Sequence, residues 1–192
     1  MKNTIVFALA AGVGSLVLAS AASADVSLSV DVTHLGNTGG NGGQAADVAT
    51  YRLYADMDAG WRVDAVYGNG DNPLSIHAAD GSSFYQNTFG GNTSLNINPA
   101  LLGAFASLAY DSWVTIGLED MNGNALNTVD VNMFDNFVET SNGSWFVTPD
   151  DAQGAEVGGR VLLGQFSVLN GSGDLATDFS SMTVSLQGKD AN

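Results

Sequence analysis

Apolar and polar residues alternate at period two through most of the chain. This spacing turns one face of a strand to a core and the other to water. The clearest run is 112–119, with Val114, Ile116 and Leu118 on one face and Trp113, Thr115, Gly117 and Glu119 on the other. Asn122-Gly123 follows, and both residues of that pair accept positive φ, a strong hairpin signal. The pattern predicts a hairpin at the centre of the fold, with 125–133 as the return strand. Further strands are predicted over 26–33, 48–55, 61–67, 74–78, 145–148, 160–169 and 182–187. Clusters of Gly, Asn, Asp and Pro separate them at 36–43, 56–60, 68–73, 80–81, 149–154 and 170–173, which is turn chemistry. The stretch 134–142 has no decided pattern.

The alternation fails between residues 82 and 108, where Phe84, Tyr85 and Phe89 stand among amides and glycines. Asn98-Pro99 inside it is a helix start, Asn as cap and Pro at the first helical position. One short helix or helical turn is expected there. The rest should form a long ordered loop lying against the domain. Trp113 points away from the Val114 face, so it needs a cover of its own, and 84–105 is the expected one.

Roughly nine strands with closely spaced turns make the predicted fold all-β. It is an antiparallel β-sandwich, jelly-roll-like, with one long irregular loop and at most one short helix. Residues 25–192 are expected to form a single domain. Residues 1–24 read as a secretory signal peptide: Lys2, an apolar run from Ile5 to Leu18, and Ala22-Ser23-Ala24 before the cut. The apolar run is short for a membrane span, which takes about 20 residues. The expected product is a secreted or cell-surface protein with no membrane span after cleavage.

Charge narrows the partners. The chain carries a formal net charge of −15, and loss of Lys2 with the leader leaves −16. Such a surface repels nucleic acid and anionic membranes. With no Cys in the chain, a disulfide framework, a thiolate metal site and a Cys nucleophile are excluded.

Four stretches carry a resemblance: 84–93, 97–101, 110–120 and 145–154, the last reading Trp145-Phe146-Val147-Thr148-Pro149-Asp150-Asp151-Ala152-Gln153-Gly154. In order and wording they are similar to a set of secreted proteins of planctomycetes and other aquatic bacteria. Several of those carry a C-terminal sorting tail or a dockerin-like module. The resemblance covers about residues 50–190. It implies an exported, surface- or matrix-associated domain and no particular reaction. The polar end 187–192 departs from it by having no sorting tail.

Candidate chemistry follows from the loops and the aromatics. Asp120, Asn122, Asn124, Asp150 and Asp151 offer hard oxygen ligands at short spacing, so calcium is the candidate cofactor. The Asp120-x-Asn122-x-Asn124 run differs from a helix-flanked calcium loop: Gly123 takes the fourth place and Val131 the twelfth. The competing reading is that these residues only form turns. Phe84, Tyr85 and Trp145 are the candidate stacking groups for a glycan, and core packing is the competing reading. Catalysis has less support. There is no Gly-x-Ser-x-Gly elbow, and only His34 and His77 could serve as base. Glu119 and Asp120 are neighbours, so a strand would aim them at opposite faces. Three Asn-x-Ser sequons, at Asn92, Asn142 and Asn170, are what chance gives in a chain rich in Asn and Ser. The expected function is a non-catalytic structural or adhesive domain, calcium-stabilised in one version. Its partners would be a glycan, a matrix protein or a second copy of the chain. A carbohydrate-binding module is the alternative, and a polysaccharide-acting enzyme stands behind both.

Overall fold

The computed structural model describes residues 3–9, 18–20, 26–40 and 45–190. The expected leader, 1–24, and the tip of the 36–43 loop lie partly outside the described residues. Thirteen strands are formed among the described residues. They are β1 (Asn3–Leu9), β2 (Leu18–Ser20), β3 (Val26–Asn37), β4 (Asp47–Met57), β5 (Arg62–Gly68), β6 (Leu74–Ala78) and β7 (Trp113–Val114). The second half supplies β8 (Asn127–Val129), β9 (Asn132–Phe134), β10 (Phe137–Thr140), β11 (Gly143–Phe146), β12 (Arg160–Leu169) and β13 (Phe179–Lys189). All pairings between them are antiparallel. The expected all-β sandwich of two antiparallel sheets is what the chain forms.

One sheet runs β3-β4-β12-β7. The other looks more complicated than it is. β5 pairs with 185–189 and β6 with 179–183 of β13, so the two lie end to end along one side of it. β11 and β10 lie end to end along β5 and β6, and β8 and β9 along β11 and β10. The result is four long rungs, three of them interrupted near one level. β1 pairs with 182–188 of β13, on the edge that β5 and β6 leave open.

The core lies between the sheets. Tyr51, Leu53, Leu163, Phe166 and Val168 of one meet Val66, Ile76, Val138, Trp145, Met182 and Val184 of the other. Both faces obey the predicted alternation, most plainly in β4 and β6. β12 and β6 have the bounds read from the sequence.

The predicted central hairpin does not form. Only Trp113–Val114 is strand, at the edge of the first sheet, and 127–129 pairs with β11 in the second. The cause is local. Gly117 has φ +76, and a Cβ there would overlap the Gln153 carbonyl. The Thr115 hydroxyl donates to the Leu118 carbonyl at 2.5 Å. The Asn122 N–H goes to Asp120 Oδ1 instead of across a ladder. The N–H groups of Thr115 and Gly117 go to the Leu163 and Leu162 carbonyls of β12 and that of Met121 to the Ile97 carbonyl, so the chain is held to β12 and the strap and crosses to the other sheet instead of turning back on itself. The expected helical turn at Asn98-Pro99 forms as a 3-10 turn, Pro99–Leu101, with the Asn98 side chain accepting the Ala100 N–H. The one α-helix among the described residues is elsewhere: α1 (Leu175–Asp178), capped by Asp174.

Candidate functional site

Apart from β7, and from Phe84, Ile116 and Leu126, which enter the core between the sheets, the irregular stretch 82–126 lies as a strap across the outer face of the β3-β4-β12-β7 sheet. It carries three 3-10 turns, Ser94–Asn96, Pro99–Leu101 and Ala106–Tyr110. Under it, Trp113, Leu162, Ile97 and Leu108 form a second apolar cluster, with Tyr54, Leu101 and Leu102 at its rim. Trp113 is therefore covered by the segment expected to cover it. The domain has three layers on this side: sheet, sheet and strap.

Polar groups fasten the strap. Asp111 is fully buried. Its carboxylate accepts the N–H of Asn87 at 2.6 Å and of Gly91 at 2.8 Å. Residue 90 must be Gly, because a Cβ would overlap that carboxylate. Burial pushes the Asp111 carboxyl up to about 7, against the lowering effect of the amides of Asn87, Gly91 and Ser112. Asn87 donates to Tyr85 Oη and Ser107 Oγ, and its own oxygen accepts the Phe89 N–H. Tyr85 N–H bonds to the Ser167 carbonyl and Ser112 N–H to the Tyr85 carbonyl, which stitches Tyr85 between 112 and β12. Gln165 reaches outward from β12 and donates to the carbonyls of Ala109 and Asp111. At the far end Arg52 holds Glu119 with two bonds, 2.9 and 2.7 Å.

A second buried carboxylate repeats this chemistry. Asp178 accepts from Tyr51 Oη at 2.5 Å, from the N–H and hydroxyl of Ser172, and from the Gly173 N–H. It ties the 170–173 loop to the core. Burial, then Asp178, raises the Tyr51 phenol well above the ordinary tyrosine range. Tyr51→Phe removes a bond to a charged acceptor and should cost about 2 kcal/mol. Thermal unfolding of that variant at neutral pH measures it.

The candidate residues sort as follows. Phe84 and Tyr85 are 4% exposed and Trp145 is 0% exposed, its Nε1 donating to the Thr115 carbonyl at 2.9 Å. None of the three presents a ring to solvent, because the strap and the two sheets enclose them. The stacking role read for them is corrected on that ground.

The acidic loops do meet, through one uncharged residue. Gln153 donates to the carbonyl of Ile116 and to Asn124 Oδ1, and accepts the Ala125 N–H. It belongs to the 3-10 turn Ala152–Gly154, which Asp151 caps. Asp120 Oδ1 takes the Asn122 N–H, Asn124 Oδ1 also takes the Leu126 N–H, and Asp150 pairs with Lys189. These oxygens serve the turns. No group of three or more His, Asp or Glu converges among the described residues. Calcium added to metal-stripped protein, followed by the melting temperature, tests the calcium reading directly. A rise of several degrees would show that the loops rearrange around the ion.

Sequence reading missed Asp111, Asp178 and Gln153 as organising residues. A carboxylate beside an apolar run was the available signal for the first two, and an acidic, turn-rich chain hides it. The other side of the molecule is more open. Tyr67 and Phe146 are half-buried on the outer face of the interrupted sheet, on neighbouring strands in diagonal register. His77 stacks on Phe137 at 5.4 Å and lies 3.3 Å from Glu139. All four basic residues after the leader are paired: Arg52 with Glu119, Arg62 with Asp64, Arg160 with Asp31 and Asp56, Lys189 with Asp150. The remaining acids dominate the surface.

No family model, no curated protein and no solved structure matches the chain.

Proposed function

We propose that the chain is an exported, non-catalytic structural or adhesive module of a cell surface or matrix. The observation that carries this reading is how its buried polar groups are used. Asp111 and Gln165 are spent on backbone N–H and carbonyl groups, and Asn87 and Asp178 on backbone N–H groups and hydroxyls, that fasten loops to the sandwich. A catalytic carboxylate needs a reacting atom within hydrogen-bond reach. Asp111 is instead sealed under the strap. The leader pattern and the acidic surface support export, as does the resemblance to secreted aquatic-bacterial proteins. Membrane crossing by a helix has no support, since no helix among the described residues is long and apolar enough. The test is fractionation with an activity screen. The protein should appear in the medium or on the envelope, cut before Asp25, with no turnover of a panel of polysaccharides. Turnover that disappears in Asp111→Asn, in protein that still folds, would contradict it.

A second reading, a carbohydrate-binding module, has one observation in its favour. Tyr67, Phe146 and Phe137 are aromatic rings in part exposed on one sheet face, beside Ser144, Gln187 and Glu139, which can bond sugar hydroxyls. A glycan array tests it. Binding lost in Tyr67→Ala and Phe146→Ala, with melting unchanged, would move the function to this face.

A further inference from the structure

We propose that the outer edge of β13 is an assembly edge, taken in the exported protein by the β13 of a second copy. The proposal rests on the export reading above, because it concerns the chain without its leader. In the full chain β1 occupies this edge, paired from Asn3↔Gly188 to Leu9↔Met182. β1 lies inside the segment read as the leader. Cleavage before Asp25 removes it and leaves the N–H and C=O groups along 182–188 with no strand beside them.

The other edges are blunted in the usual ways. β7 is two residues long and covered by the strap. β8 and β9 are three residues each and separated at Asp130, which has φ +48. β3 carries Asp31 and a bulge between Val32 and His34. β13 has none of these defences between Ser181 and Gln187. Its register shifts lie at Phe179/Ser181 and Gln187/Gly188.

Charge selects the occupant. Copies of a chain this acidic repel one another over most of their surface. Residues 179–188 hold no charged side chain, so this strip is where two copies can approach. Antiparallel self-pairing about a twofold axis at Ser185 sets Val184 against Leu186 and Thr183 against Gln187. Apolar residues then stay on the core face of both sheets. Ser185 supplies an independent reason for this register. It is 1% exposed in the full chain, and its hydroxyl has no hydrogen-bond partner among the described residues. Against its symmetry mate it gains a cross-strand hydroxyl partner.

The experiment is sedimentation velocity on the cleaved chain over a range of concentrations. A reversible monomer–dimer equilibrium is expected. Ser185→Lys sets two ammonium groups opposite each other and should weaken the dimer roughly tenfold or more. Ser144→Lys, on β11 of the same face, should leave it intact. A synthetic peptide of sequence Asn3–Leu9 should dissociate the wild-type dimer, a result that does not depend on any variant folding. A cleaved protein that is monomeric at every concentration overturns the proposal and leaves the export reading standing. So does a Ser144→Lys variant as weakened as Ser185→Lys. An exported protein whose intact mass retains residues 1–24 overturns the export reading itself.

Discussion

Asp111→Ala is expected to destabilise the domain by about 3–5 kcal/mol, the larger share through the strap. The carboxylate is the acceptor for two buried amides, Asn87 and Gly91, and each amide left without a partner costs about 1–3 kcal/mol. The alanine adds a small void. Asp111→Asn is the sharper variant. One of its two groups is an NH2, which must face one of the two N–H donors, so it should recover only part of the loss. Both changes should shift the denaturant midpoint. The pH dependence has a definite sign. Burial holds the folded carboxyl at about 7, above its ordinary 3.8, so the folded state binds the proton more tightly than the unfolded chain. The favourable contribution is complete below the ordinary value and is lost as pH rises through about 7. Wild-type protein should therefore gain stability from this residue between pH 7 and 4, and Asp111→Asn should lack that component.

Trp145→Ala is expected to cost about 3–5 kcal/mol, as large aromatic truncations in cores do. Trp145 is fully buried on the core face of β11, and its indole N–H reaches across to the Thr115 carbonyl. Removing it opens a void between the sheets and leaves a carbonyl short of a donor. Trp145→Phe separates the two effects. It should restore much of the packing and still lose the hydrogen bond, at about 1 kcal/mol. Calorimetric melting of the three proteins gives the order wild type, Phe, Ala. A Trp145→Ala variant with unchanged melting would return this residue to the surface role first read for it.

The sandwich is legible in the sequence because β4 and β6 bury one face and carry the alternation, while β12, buried on both faces, stands out as a long apolar run. The sequence also shows where the pattern breaks, and the strap lies there. What it hides has physical causes. Residues 112–119 do place Val114 and Ile116 in the core and Trp113 on the other side, yet alternation reports which way side chains point and not which strand lies alongside. Gly117 at positive φ and the Thr115 side-chain bond end the ladder, and neither alters the pattern. The interruption between β5 and β6 reads as an ordinary turn and that between β10 and β11 falls in the undecided stretch 134–142, although each pair continues one rung. Phe84 and Tyr85 stand beside Gln86 and Asn87 because those amides hydrogen-bond to the strap, which in one dimension resembles a wet aromatic platform.

Native-state hydrogen exchange on the amides of Asn87, Gly91 and Val114 tests most directly whether the strap is an integral third layer. These N–H groups bond to Asp111, Asp111 and the Asn92 carbonyl. They are expected to exchange only with global unfolding, with the same protection as β12. Exchange on the timescale of a surface loop, while β4 and β12 stay protected, would show that the strap opens separately, and would contradict the account.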